Sequence, residues 1–230
     1  MRYFAVALLV FTVFSLKGQT YEIGIMAGGA NYIGDIGPTN YIRPNNIAVG
    51  GIAKWNRSPR HSFRLSALYL SVGSDDSKSS DGRRVERGYK FKNSIKELSL
   101  GLEYTFWEFD LYKTRSQGTP YLYTGITWFH YNDLYYDQYS KDFKSQSSTS
   151  DFAIPMVMGY KTTIGTNIIL GVEIGARYTF TDNIDGSFPE GTPGNSTATP
   201  FGNINNNDWY VFTGITLTYT FGNKPCFCAF

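Results

Sequence analysis

The chain has 230 residues, enough for one domain, with a formal net charge of +2 and only 17% charged residues against a usual quarter or so. So small a charge, with no dense Lys/Arg tract, gives no sign of a nucleic-acid- or polyanion-binding protein. Aromatic residues make up 17%, with 18 Tyr, 17 Phe and 24 Gly, a composition suited to the walls and turns of a β-barrel.

Residues 1–18 read as a secretory signal peptide: Arg2 precedes an apolar run over 3–14, and 15–19 are small and polar, with cleavage expected after Gly18. No second run of about 18 apolar residues follows, so the sequence contains no helical membrane span. No Cys directly follows the signal region to accept a lipid.

Beyond it, period-two alternation marks eight strands. The first, 20–30, sets Tyr21, Ile23, Ile25 and Ala27 against Glu22, Gly24, Met26 and Gly28. Residues 31–46 are turn-rich, with Pro38 and Pro44 barring a regular strand. The second strand, 47–55, places Lys54 opposite Trp55, and the short link 56–60 leads into the third, 61–72, where Phe63, Leu65, Ala67 and Tyr69 oppose Arg64 and Ser66. After a long polar excursion, 73–93, the fourth strand, 95–107, sets Leu98, Leu100, Leu102, Tyr104 and Phe106 against Glu97, Ser99, Gly101 and Glu103. A link of middle length, 108–119, precedes the fifth strand, 120–131, which is apolar on both faces and leaves its sides unassigned.

Residues 132–150 read as another polar loop. The sixth strand, 151–163, puts Ile154, Met156, Met158 and Tyr160 against Gly159 and Lys161. A tight turn, 165–167, leads to the seventh, 168–181, whose apolar even positions run from Ile168 to Phe180 and whose other face carries Glu173, Arg177 and Thr181. The longest excursion, 182–208, precedes the eighth strand, 209–222, and a tail over 223–230.

Strands this long, with connections alternating long and short, match an eight-stranded antiparallel up-and-down transmembrane β-barrel spanning 19–222. Both termini then fall on the periplasmic side, and the loops 31–46, 73–93, 132–150 and 182–208 face outward. A soluble lipocalin-like barrel shares the strand count, but its water-facing side carries more charge than the Gly, Thr and Ser faces here. On the membrane reading Glu22, Lys54, Arg64, Glu97, Glu103, Lys161, Glu173 and Arg177 point into the lumen, where opposite charges pair and plug it. Glu173 and Arg177, four apart on one strand, are expected to pair across the barrel rather than with each other.

Candidate chemistry is thin. His130 with Asp133 and Asp137 at a barrel lip is a hydrolytic constellation lacking a fixed nucleophile. Asp75, Asp76, Asp81, Asp182 and Asp185 are acids that hold Ca²⁺ in other settings, but without a ligand pattern they read as turn and strand-end caps, with Asp182, Asn183 and Asp185 binding backbone amides. The arginines Arg83, Arg84 and Arg87 read as a solvated loop. No phosphate loop, zinc spacing or dinucleotide fingerprint is present, and no enzyme, cofactor or metal is expected. Asn195 heads a chance glycosylation pattern. Cys226 and Cys228 form no disulfide framework, although in an oxidising compartment they offer an intermolecular bond or a partner contact.

Three segments carry a family resemblance: GGANYIGDI at 28–36, EIGARYTFTDNID at 173–185, and DWYVFTGITLTYTFGNKPCF at 208–227. They resemble the PorG-like outer-membrane proteins of the type IX secretion system, most specifically at Arg177, Tyr178, Thr179, Phe180, Thr181 and Asp182. The resemblance implies an OmpA-like barrel that links a periplasmic ring, built of a lipoprotein and its partner subunit, to the outer membrane. Arg177, Thr181, Asp182 and Asp185 then form a rim. The other expectation is a stand-alone barrel acting as a narrow channel or surface-binding protein. The turns 56–60, 108–119 and 165–167 and the tail are then available to the ring, and the candidate contacts are the middle turn, 108–119, longer than hairpin closure needs, and the tail with Cys226 and Cys228.

Overall fold

The computed structural model describes residues 20–111, 115–187, 200–203 and 206–222. The signal-peptide reading, Asn195, and Cys226 and Cys228 with their tail lie outside the described residues.

Eight strands form one closed antiparallel barrel, each paired with its neighbours in the sequence: β1 (Thr20–Ile33), β2 (Asn46–Asn56), β3 (His61–Asp75), β4 (Lys90–Thr105), β5 (Gly118–Asp137), β6 (Asp142–Ile164), β7 (Ile168–Thr179) and β8 (Trp209–Phe221). β8 closes on β1 in continuous register from Tyr21 opposite Phe221 to Ile33 opposite Trp209. Closure leaves no unpaired edge.

Side chains alternate across the wall as strand geometry requires. Ile23, Ile25, Leu65, Leu98, Leu100, Ile126, Met158, Val172, Ile215 and Leu217 are exposed on the outside, while Met26, Arg64, Glu97, Tyr121, Phe129 and Tyr210 are buried inside. The ambiguous fifth strand resolves with Tyr121, Tyr123, Phe129 and Tyr131 inward and Leu122, Ile126 and Trp128 outward. An apolar exterior round every strand is larger than the patches of soluble monomers, whereas the interior holds a layer of charged side chains beside an apolar cluster that includes Met26, Ile52, Leu68, Leu70, Ile95 and Phe129.

Two expected loops are corrected. Residues 132–150 are not a loop: β5 and β6 continue as a hairpin, pairing as far as Asp137 opposite Asp142, with a bulge at Asp133/Leu134 and Lys141 at φ 53° in the turn. The Tyr and Thr residues there suit a strand, and Leu134 and Phe143 pack on the interior apolar cluster, but the interspersed Asp, Ser and Lys residues obscure the alternation. Likewise the excursion after β3 is built rather than solvated. Asp75 accepts from Ser77 N at 3.0 Å to start a 3-10 turn, Asp76–Lys78. Asp81 accepts from Arg83 N at 3.0 Å to start the helix α1 (Gly82–Arg87), which Gly88 ends at φ 68°. The seventh strand ends at Thr179, two residues before the expected boundary.

Candidate functional site

Every second residue of each strand faces inward, so the charged side chains scattered over 150 residues of sequence converge on one axis. Glu22, Lys54, Arg64, Glu97, Glu103, Lys161, Glu173 and Arg177 are all buried there. Four cations face four carboxylates, so their formal charges cancel.

The pairs cross the lumen. Arg64 on β3 grips Glu173 on β7 with two contacts of 2.8 Å, and the Tyr121 hydroxyl donates to the same carboxylate at 2.7 Å. Arg177 on β7 reaches Glu97 on β4 at 2.8 Å, with Tyr210 donating to Glu97 at 2.7 Å. Glu103 takes Lys54 at 2.7 Å and Lys161 at 2.6 Å, and lies 3.8 Å from Arg64. Lys54 and Arg64 stand directly opposite on adjacent strands, a repulsive arrangement that the shared Glu103 offsets.

Glu22 departs from the expected ion pairing: although it faces Lys54 in the register, it accepts from Asn56 at 2.8 Å and Thr218 at 2.9 Å. Aromatic rings fill the remaining lumen, with the Arg64 guanidinium 4.6 Å from the Tyr123 ring centre and Arg177 5.7 Å from that of Phe212.

At the end nearest the described chain ends, residues 106–111 of the middle turn lie against the barrel. Phe109 is buried, its amide donates to Pro59 O at 2.9 Å, and Lys161 Nζ lies 4.8 Å from its ring centre. Phe109 thus caps the lumen layer at this end.

At the opposite end the three segments of the family resemblance meet on Asp208. Its carboxylate accepts from the Tyr32 hydroxyl and from Ile184 N at 2.9 Å, while its carbonyl accepts from Thr179 Oγ1 at 2.6 Å. Tyr32, Asp35 and Asp208 were missed as rim residues in the sequence; the signal available was that each lies inside one of those segments. Of the expected rim, Thr181 bonds Tyr131 at 3.0 Å and Asp185 accepts from Ser187 N at 2.9 Å, whereas Arg177 belongs to the lumen layer beneath.

Asp182 Oδ1 and Asp185 Oδ2 are buried without a hydrogen-bond donor among the described residues. Burial, then the nearby Asp35 and Asp185, pushes the Asp182 carboxyl up to about 7. Burial likewise raises Asp185 and Asp208.

The arginines expected in a solvated loop divide. Arg83 is exposed, but Arg84 donates to Gly34 O at 3.0 Å and Gly37 O at 2.6 Å, and Arg87 pairs with the buried Asp76 at 2.8 Å. They fasten α1 to the loop after β1.

The hydrolytic constellation separates. His130 faces outward and contacts Ser150 at 2.9 Å, Asp133 is buried inside against Asn183, and Asp137 pairs with Lys144. Among the described residues no group of three or more His, Cys, Asp or Glu side chains is placed to hold a metal ion.

Several solved structures are similar in fold. The N-terminal β-barrel domain of Pseudomonas aeruginosa OprF is 12% identical with a TM-score of 0.45, covering 89% of this chain and 98% of that one. The attachment invasion locus protein Ail of Yersinia pestis, in complex with the heparin analogue sucrose octasulfate, is 10% identical with a TM-score of 0.46, covering 90% of this chain and 100% of that one. OprG from Pseudomonas aeruginosa is 12% identical with a TM-score of 0.46, covering 90% of this chain and 97% of that one. Among curated proteins none matches. The sequence profile of the family described as Domain of unknown function (DUF6089) matches residues 1–230, and the chain belongs to that family.

Proposed function

We propose that the chain is an outer-membrane barrel with a structural, non-enzymatic role: the membrane component of a type IX protein secretion machine, linking a periplasmic ring lipoprotein and its partner subunit to the outer membrane. The observation that carries the structural reading is the lumen itself. Its formal charges cancel, its four cations are held by Glu97, Glu103 and Glu173, aromatic and aliphatic side chains pack beside them, and Phe109 is buried at one end. A barrel packed in this way serves as an anchor rather than a conduit. The apolar exterior supports the membrane placement, and the resemblance of residues 28–36, 173–185 and 208–227 to PorG-like proteins supports the partner. On this reading residues 1–18 are removed on export and both termini are periplasmic.

A pull-down of the tagged full chain in mild detergent, read by mass spectrometry, is expected to recover the ring lipoprotein and its partner, and deletion of the chain to stop secretion. Replacing residues 106–117 with a two-residue hairpin, or Cys226 and Cys228 with Ser, then tests the two candidate contacts in the same assay. Recovery of no ring subunit overturns the proposal. A stand-alone surface-binding barrel is the second reading, favoured by the helical β3–β4 excursion and the cleft beside it.

A further inference from the structure

The outward row of β4 changes character along its length. From Leu98 through Leu100, Leu102 and Tyr104 it is apolar; in the other direction it reads Lys96, Ser94, Lys92, Lys90. The neighbours of this boundary are aromatic or amphipathic: Trp128 stands opposite Leu98, while Tyr69 and His130 flank Lys96. Trp and Tyr of this kind mark the membrane–water interface of barrels. Lys96 therefore sits at the interface, about 7 Å along the strand from Leu98, and Lys92 and Lys90 lie farther out, about 13 and 20 Å along the strand from Lys96.

Those outer lysines open onto a cleft of about 230 Å³ between the loop after β1 and the β3–β4 turn. Its lining carries Arg43, Lys78, Lys90 and Lys92 against one carboxylate, Asp75. Asp75 only partly offsets them: Lys90 Nζ is 3.7 Å from it with its side chain 75% exposed, and Asp75 already caps Ser77. A chain with a net charge of only +2 thus concentrates five cations, Lys96 included, on one strip of its outer wall.

We propose that this strip binds the phosphate groups of a lipid headgroup in the leaflet surrounding the loop end of the barrel. The row of lysines follows the direction in which such a headgroup projects from the interface. Ammonium and guanidinium groups pair with phosphate through charge-assisted hydrogen bonds. The separation of Lys96 from the cleft fits a headgroup carrying two phosphates rather than one. This inference rests on the membrane reading above, and its test keeps the two apart.

The full chain is folded in neutral detergent and its retention of diphosphoryl lipid A measured by native mass spectrometry, beside dephosphorylated lipid A and inorganic phosphate. The wild type is expected to retain the diphosphoryl form at least tenfold more tightly than the dephosphorylated one, less so at high salt. The variant K90Q/K92Q/K96Q is expected to lose at least tenfold, K90R/K92R/K96R to keep the binding, and R83Q, at an exposed cation elsewhere, to match the wild type. Equal retention of the dephosphorylated lipid, an unaffected Gln variant, or inorganic phosphate binding as tightly as the lipid overturns the proposal. Insertion into phosphatidylcholine vesicles, read by protease protection, reports on the membrane reading alone. Insertion without a preference for diphosphoryl lipid A overturns this inference and spares that reading; failure to insert overturns both.

Discussion

Arg64 and Glu173 meet in a two-pronged contact across the lumen, both N···O distances 2.8 Å, although 109 positions separate them in the chain. Neither group is exposed. Glu173→Ala leaves the guanidinium buried with only the more distant Glu103, and is expected to cost about 3–5 kcal/mol. Urea-unfolding midpoints in detergent measure this, and the double variant R64M/E173M should recover most of the loss because it removes both charges together. A Glu173→Ala midpoint equal to the wild type would show that the pair does not hold the wall.

Phe109→Ala removes the ring that lies against Lys161 at the terminal end of the barrel. The expected loss is about 3 kcal/mol, the scale for truncating a buried Phe. Amides of residues 106–111 should exchange faster, while planar-bilayer current stays at background because the charged layers above remain paired. A current above background would make the turn, and not the lumen pairs, the seal.

The rim carboxyls set a pH dependence with a definite sign. The Asp182 carboxyl stands at about 7 in the folded chain, and Asp185 and Asp208 are also raised. At these three carboxyls the folded state therefore holds more protons than the unfolded one from about pH 4 upward, and their contribution to stability falls as pH rises through that window. Hydrogen exchange of the 181–187 amides, corrected for intrinsic rate, should show more protection at pH 5 than at pH 8. Asp182→Asn should raise protection at pH 8 and change little at pH 5. Protection that rises with pH would reverse the assignment.

Much of the wall was legible because a strand has only two sides. Alternation at Leu98, Leu100 and Leu102 against Glu97, Ser99 and Glu103 identifies β4 and its inward face without knowledge of any neighbour. The same rule failed on β5, where Tyr121 and Tyr123 face inward and Leu122 outward. Tyrosine is apolar along its ring and polar at its tip, so it suits either medium until a carboxylate such as Glu173 is seen to accept its hydroxyl. It failed again at 132–150, where the many polar residues resemble a loop although the backbone pairs on both sides of a bulge.

Sequence alone determined the strand count, the apolar exterior and which eight charged residues share a face, because each follows from local periodicity. Only the closed tertiary structure decided that Glu173 takes Arg64, that Arg177 takes Glu97, that Lys54 passes over its neighbour Glu22 for Glu103, and that Tyr32, Ile184 and Asp208 join three distant segments at one rim. The reason is geometric. Partners across a ring are chosen by the tilt and stagger at which the strands close, and that register belongs to the whole barrel rather than to any stretch of the chain.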